Sequence, residues 1–380
     1  FDLWSNFTFY LNDNVNGDEI QQHDSRLQEG ANFQLLQPIK FRKVIGVFTA
    51  GANFHANQIN VGLDRSIGRT PFETTTKANA KINNYATYAQ QSFDLFDGHL
   101  HFEVGLRFDY FNFRVDDLVN PNFSGEDGEG KIQPKFNLAY TPNHDFPITF
   151  HFNYGRGITS RDARGVIQQP SSPKLATTDF YQFGTSYNSQ RFSATFSTFL
   201  IDRSNEQVYI PDDGSIELTD PSRSYGIEVK TSIKLNRYFS FNGGLTQVLQ
   251  SFYRQTDPRV FVDSAPHQTV NGGFTMSDWR GFTGSLRYRH INHYRLDGTN
   301  VSIRASGFDV VDLSVNKRLN KKFELNFSID NLTDKRYWET QNYFESRISP
   351  TAPVISRIHA TPGYSRTFMV GLTMRFGAKD

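Results

Sequence analysis

Near its end the chain reads Tyr364-Ser365-Arg366-Thr367-Phe368-Met369-Val370-Gly371-Leu372-Thr373-Met374-Arg375-Phe376. Successive side chains of a β-strand point to opposite faces, so this segment has one apolar face that ends in Phe376 and one small, mostly polar face. A transmembrane β-strand needs about ten residues, interfacial aromatic side chains and a polar lumen side. A half-buried strand of a soluble sheet shows the same alternation. One strand therefore leaves both folds open.

The same two-faced pattern recurs along the whole chain, which favours the membrane alternative. In one segment, for example, Leu106 and Phe108 alternate with Arg107 and Asp109. Such repetition predicts an antiparallel transmembrane β-barrel, because closure leaves no unpaired strand edge in lipid. The sixteen predicted strands span residues 1–11, 30–38, 43–60, 78–95, 99–113, 131–141, 147–155, 178–188, 191–201, 223–235, 238–251, 267–277, 280–292, 307–318, 322–331 and 363–376.

The connections between these strands alternate between short and long. Outer-membrane barrels have short periplasmic turns and long external loops, and a soluble sandwich has no reason to keep that order through so many connections. With sixteen strands, the first strand runs outward and the last one ends in the periplasm. The predicted external loops are residues 12–29, 62–77, 114–130, 156–177, 202–222, 252–266, 293–306 and 332–362.

Composition agrees with a barrel. Aromatic residues make up 15% of the chain, including 36 Phe, although the mean hydropathy is −0.54. Aromatic girdles around a polar lumen combine these two properties, whereas a soluble core is richer in aliphatic side chains. No apolar run approaches the length of a membrane helix. The net charge of +1 gives no indication of nucleic-acid binding.

Two motifs carry a family resemblance. The segment Gly363-x-x-Arg366-Thr367-Phe368-Met369-Val370-Gly371-Leu372-x-x-Arg375-Phe376 resembles the C-terminal signature of TonB-dependent outer-membrane receptors, and Phe323-x-Leu325-x-Phe327-x-Ile329-x-Asn331-Leu332-x-Asp334-x-x-Tyr337 resembles the preceding strand and motif of that family. The resemblance implies that residues 1–380 are the C-terminal portion of a 22-stranded barrel, with a plug domain and further strands upstream. It also implies that Gly371, Met374 and Phe376 are a signal for the barrel-insertion machinery. One departure is that residues 377–380 follow the terminal aromatic.

By the same resemblance, the function is TonB-dependent uptake of a scarce nutrient across the outer membrane of a Gram-negative bacterium, with a ferric siderophore as the expected ligand. The implied partners are outer-membrane lipid and lipopolysaccharide, a TonB-type energy-coupling protein and the insertion machinery. Two other functions stay open: a passive sixteen-stranded porin, and a surface-binding protein anchored by its barrel.

Loops on a rigid scaffold usually carry binding, so the ligand site is sought there. Arg161 and Arg164 lie in a loop that has four cations and one anion, and Tyr343 and Arg347 lie in the longest loop. Guanidinium groups beside aromatic faces suit anionic, ring-bearing ligands. The alternative is that these side chains contact lipopolysaccharide or solvate their loops.

No enzymatic chemistry, metal centre or cofactor is expected. The chain has no cysteine, its histidines do not show zinc-site spacing, and the acidic segment 212–220 lacks the spacing of an EF-hand loop. A Gly-x-Ser-x-Gly nucleophile elbow is also missing from the sequence.

Overall fold

The computed structural model describes residues 1–5, 19–41, 44–143, 145–205, 207–210, 215–346 and 351–376. These residues form an almost entirely β structure with one short α-helix, α1 (Ala163–Gln168), and a 3-10 turn at Pro121–Phe123. The strands are β1 (Asp2–Ser5), β2 (Glu19–Phe41), β3 (Val44–Ile67), β4 (Thr70–Leu95), β5 (Leu100–Asp117), β6 (Gly125–Tyr140), β7 (Ile148–Ser160), β8 (Leu175–Asn188), β9 (Phe192–Arg203), β10 (Gln207–Ile210), β11 (Ser215–Leu218), β12 (Ser222–Lys234), β13 (Phe239–Tyr253), β14 (Gln268–Trp279), β15 (Phe282–Ile291), β16 (Tyr294–Arg295), β17 (Arg304–Ala305), β18 (Phe308–Arg318), β19 (Phe323–Asp330), β20 (Trp338–Ser346), β21 (Ile355–Pro362) and β22 (Thr367–Met374).

Sixteen of these strands form one antiparallel sheet in which each strand pairs with its neighbours in chain order. The order is β1 to β9, then β12 to β15, β18, β19 and β22, and β1 and β22 are the two edges among the described residues. Each of the sixteen predicted strand segments overlaps one of these strands, which confirms the predicted all-β meander. Residues 6–18, which include most of the first predicted strand, lie outside the described part of the chain.

Cross-strand register gives the sheet two faces with different chemistry. The face that carries Leu106 and Phe108 is called the apolar face here, and the face that carries Arg107 and Asp109 is called the polar face. Leu106 pairs with Ala89 of β4 and Pro134 of β6, so the register extends both faces to the neighbouring strands. About half of the Leu106 side chain is exposed, as expected for a surface whose solvent is lipid.

Connections at one end of the sheet are tight turns and most of the described connections at the other end are long, as the sequence predicts. The prediction of a loop at residues 62–77 is wrong, because β3 and β4 remain paired up to a turn at Gly68 and Arg69, both with positive φ. The predicted loop 12–29 also shortens, since β2 begins at Glu19. Backbone pairing continues past the apolar zone, where polar side chains on both faces hide the strand pattern.

Three of the remaining long connections contain hairpins of their own, β10–β11, β16–β17 and β20–β21. Contacts join these connections to one another. Gln341 of β20, for example, donates to the carbonyl oxygen of Ser306 at 2.9 Å and accepts from its backbone N–H at 3.1 Å. In the described ranges, no helix has the length and hydrophobicity needed to cross a bilayer.

Candidate functional site

A hydrogen-bonded network on the polar face links strands β3 to β6. Arg107 donates to both carboxylate oxygens of Asp109 at 2.6 and 2.8 Å, and to the side-chain oxygen of Asn53 at 2.6 Å. Asp109 also accepts from Asn84 at 3.0 Å and from Gln133. Asp109 is only 3% exposed, so its carboxylate depends on these four donated bonds in place of water. The network therefore holds polar side chains of four neighbouring strands in place on the polar face.

A second charged group lies on the same face, near the other edge of the sheet. Arg287 donates to Asp312 at 2.9 Å, and Arg289 lies 3.4 Å from the same carboxylate. The other oxygen of Asp312 accepts the backbone N–H of Asn331 at 3.0 Å. Two guanidinium groups therefore share one carboxylate, which leaves this part of the polar face with excess positive charge.

Helix α1 lies against the polar face at the end of the long connections. Asp162 begins the helix, because its side chain accepts the backbone N–H of Arg164 at 2.9 Å. Val166, 2% exposed, packs in a cluster with Phe113 and Val115, which lie on the same face of β5 as Asp109. The connection between β7 and β8 thus folds inward onto the polar face of the sheet and covers part of it.

The cations of this connection are mostly neutralised. Arg156 forms a two-point ion pair with Asp179, Arg164 pairs with Asp162 at 3.1 Å, and Lys174 pairs with Asp127 at 3.1 Å. The positive field expected from the sequence is therefore largely compensated, by carboxylates of β6 and β8 as well as by Asp162.

Arg161 differs from the other cations of the connection. It is 5% exposed, it donates to the backbone oxygen of Asn205 at 3.2 Å, and its Nε has no hydrogen-bond partner among the described residues. Burial lowers the pKa of its guanidinium, and the negative charge of Glu129 acts in the opposite direction. A guanidinium with an unused N–H is able to donate a charge-assisted hydrogen bond to an anionic group.

The structure does not bring the four predicted ligand residues together in the part that it describes. Arg161 is buried just before α1 and Arg164 is buried within it, whereas Tyr343 is half-buried in the β20–β21 hairpin and Arg347 lies outside the described residues. The ring of Phe344 stacks on His359 at 3.9 Å in the same hairpin. The binding role of all four residues stays a prediction.

The two motif segments contact each other where the last long connection meets the sheet. Asn331, 1% exposed and with a φ of 50°, donates through its side chain to the carbonyl oxygens of Lys335 at 2.8 Å and Tyr364 at 2.9 Å. Asp334 accepts the backbone N–H of Arg366 at 3.0 Å. The Asn-Leu-x-Asp segment is therefore structural: its hydrogen bonds fix the residues that immediately precede β22.

The residues predicted as an assembly signal lie on and just after β22. Gly371 pairs with Asn326 on the polar face, and Met374 pairs with Phe323 on the apolar face. Phe376 follows the strand and is 88% exposed. These positions leave Phe376 accessible at the edge of the sheet, and its role in assembly stays a prediction.

Sequence reasoning did not single out the Arg107–Asp109 network or α1. A signal for the network was available, because opposite charges two residues apart on a strand share a face. Helix α1 gave no such signal: its six residues are too few for a helical period.

Comparisons with known proteins place this geometry in a family. Residues 1–332 match the model of the family described as TonB dependent receptor-like, beta-barrel, and no curated protein sequence matches the chain. Similar solved structures include the ferric yersiniabactin uptake receptor FyuA from Yersinia pestis (TM-score 0.72, 14% identity, 94% of this chain and 55% of that chain), the ferric citrate transporter FecA (0.73, 15%, 94% and 55%) and the copper transporter OprC (0.72, 16%, 94% and 58%).

This chain spans a little over half the length of those three structures, and at such identities the likeness establishes the fold alone. The family model, in contrast, covers most of the chain. The chain belongs to the TonB-dependent receptor family, and its sixteen-stranded sheet has the antiparallel, membrane-spanning β-barrel fold of that family.

Proposed function

We propose that the chain forms barrel wall and external loops of an outer-membrane transporter that takes up an anionic metal complex, with a ferric siderophore as the expected ligand. The family assignment supports TonB-dependent transport over a passive porin. Of the similar structures named above, two are a receptor and a transporter of ferric complexes and one is a copper transporter. All three are therefore named for a transition metal, two of them as a complex.

The observation that carries the ligand proposal is Arg161. It is the one cation of the β7–β8 connection with no carboxylate at ion-pair distance among the described residues, and it lies beside the helix that covers the polar face. Arg164 is already paired with Asp162, so an incoming anion would have to compete with that carboxylate. Arg161 is therefore the primary anion contact in this proposal and Arg164 a secondary one, with Tyr343 and Arg347 contributing from the last long connection.

The location of the protein belongs to the same proposal. The barrel spans the outer membrane of a Gram-negative bacterium, with its tight turns in the periplasm and its long connections outside. The partners of the full transporter are membrane lipid and lipopolysaccharide, a TonB-type energy-coupling protein, and the insertion machinery, which reads Gly371, Met374 and Phe376. Capture by the loops and energy-coupled release require no covalent chemistry, which agrees with membership in a family of receptors.

The test is binding and uptake of a panel of ferric siderophores, ferric citrate, copper complexes, cobalamin and oligosaccharides by cells that express the full protein. Arg161→Ala should weaken binding of the anionic metal complex by about tenfold or more, because a charge-assisted hydrogen bond in a partly closed site is worth roughly 1.5–3 kcal/mol. Arg164→Ala should have a smaller effect. Gln168→Ala, an exposed position on the same helix, is the matched control.

Equal binding by wild type, Arg161→Ala and the double variant Arg161→Ala/Arg164→Ala would remove this connection from the site. Equilibration of all small solutes regardless of charge, without any dependence on cellular energy, would instead support a passive porin.

A further inference from the structure

The apolar face carries, on β13 and β14, a groove that its general pattern does not predict. Gly243 of β13 and Gly272 of β14 pair directly with each other, and both lie on this face, in register with Leu245 and Phe274. Two facing glycines leave no side chains between the strands. The resulting groove has a volume of about 390 Å³.

The rows of residues on either side of the glycine pair are large. Towards the tight turns, Phe241 pairs with Phe274, and their ring centroids are 5.1 Å apart. Towards the long connections, Leu245 pairs with Val270. The glycine row is therefore a depression between two ridges.

One end of the groove is polar. Tyr288, which pairs with Gly272, donates its hydroxyl to Asp309 at 2.6 Å, and Nδ1 of His290 lies 2.8 Å from the same carboxylate oxygen. Asp309 is exposed and lies on the same face, as the second residue of β18. Of these three groups Tyr288 lines the groove itself, and His290 and Asp309 adjoin it towards the long connections. The rest of the groove lining is apolar except for Thr231 and Asn271.

The occupant follows from the solvent of this face and from the shape of the groove. A groove left empty in a hydrocarbon surface loses dispersion contacts on both of its walls. A lipid chain is apolar along its length and joined to a polar group at one end, which matches an apolar trough that ends at Tyr288, His290 and Asp309. The volume lies within the range of roughly 300–1,000 Å³ for small-molecule sites.

We propose that the groove at Gly243 and Gly272 is a binding site for one acyl chain of a membrane lipid, with the polar end of that lipid beside Asp309. This proposal depends on the membrane-spanning fold and on the proposed orientation, in which Asp309 lies towards the outer leaflet. The site is independent of the transported ligand, because it lies on the opposite face of the sheet from Arg161. A bound acyl chain would contact side chains of β12, β13, β14 and β15 on the lipid-facing surface of the sheet.

The experiment uses the full-length protein in phosphatidylcholine vesicles that contain a few per cent of phosphatidylcholine with a photoreactive diazirine in one acyl chain. After irradiation, crosslinked residues are mapped by peptide mass spectrometry. Crosslinks within 241–245 and 270–274 should exceed those within 148–152, a segment of β7 with apolar-face side chains outside the groove, by about threefold or more, since the groove surrounds the chain with additional contacts.

Gly272→Leu fills the groove and should reduce its crosslinks to the level of the 148–152 segment. A Cβ at Gly272 meets its nearest atom, the backbone oxygen of Asn242, at 3.4 Å, so the substitution is compatible with the strand. Leu286→Trp fills the groove from its other wall, and Val104→Leu is the matched control. Each variant is first checked for a heat-modifiable, folded barrel.

Equal crosslinking of both segments in the wild type, or unchanged groove crosslinks in both filled variants, would overturn the site. Crosslinks between two copies of the chain through 241–245 would overturn it in favour of a protein interface. Crosslinking of neither segment would contradict the membrane location as well as the site, whereas loss of uptake alone bears only on the proposed transport.

Discussion

The ring of Tyr337 lies directly over Gly363, and a Cβ atom added at Gly363 would overlap the Cζ and Cε atoms of that ring. The backbone N–H of Gly363 also donates to the carbonyl oxygen of Tyr337 at 2.9 Å. On its other side the ring packs against Phe308, with centroids 4.7 Å apart. The two motif segments are thus joined by a contact that only glycine permits.

Gly363→Ala should therefore destabilise the barrel by about 1–3 kcal/mol, because the added methyl group must displace a packed ring. The measurement is urea unfolding of the purified barrel, followed by its heat-modifiable mobility. Gly157→Ala is the control, since its added Cβ would have no atom closer than 4.0 Å. The contact is not a constraint if both variants unfold at the same urea concentration.

Two adjacent residues of β9 test which face of the sheet is exposed to lipid. Phe196 is on the apolar face and Thr195 on the polar face, paired with Val229 and Lys230 respectively. Phe196→Arg should cost roughly 2–4 kcal/mol near the middle of the bilayer, and Thr195→Arg much less. Unfolding titrations in phosphatidylcholine vesicles measure both. Equal losses would mean that the assignment of the faces is wrong.

Removal of the Asp109 carboxylate should be far more costly than removal of a nearby one. Asp109→Ala removes the carboxylate that pairs with Arg107 and leaves Asn84 and Gln133 without their acceptor in a buried setting, which costs about 3–5 kcal/mol. Glu103→Ala, on the same strand and face, loses a bond from Asn137 and should cost about 1 kcal/mol.

A double variant Arg107→Ala/Asp109→Ala should recover part of the loss, because it removes the unpaired guanidinium. Denaturant midpoints for wild type, both single variants and the double variant complete the thermodynamic cycle. A double variant that loses the sum of both single losses would show that the pair is not coupled.

Helix α1 should detach when its buried side is charged. Val166→Asp places a carboxylate against Phe113 and Val115, at a cost of more than about 2 kcal/mol. We expect limited proteolysis to cut the connection between Ser160 and Lys174 several times faster, with the sheet still folded. Gln168→Asp, exposed on the same helix, should be cut at the wild-type rate. Resistance of the Val166 variant would show that α1 is held by other contacts.

Orientation can be tested with single introduced cysteines, because residues 1–380 contain none of their own. Glu345→Cys, in the β20–β21 hairpin, should react with an impermeant maleimide on intact cells. Lys321→Cys, in the tight turn between β18 and β19, should react only after the outer membrane is permeabilised. Labelling in the reverse order would invert the proposed topology.

Period-two alternation by itself determined the number, order and faces of the strands. It was sufficient because a membrane barrel exposes one face to lipid, so apolar side chains recur at alternate positions within strands, as from Leu100 to Phe108 in β5. The alternation of short and long connections likewise predicted which end of the sheet carries the loops.

Only the tertiary structure decided what happens beyond the lipid zone. There both faces are polar, alternation disappears, and backbone pairing alone continues β3 and β4 to their turn at Gly68. The fold of the β7–β8 connection is likewise set by distant partners: Val166 meets Phe113, and Lys174 meets Asp127. Arg156 and Lys174 are neutralised by Asp179 and Asp127, which lie on other strands. Arg161 has no such carboxylate partner among the described residues, and the local sequence does not predict this difference.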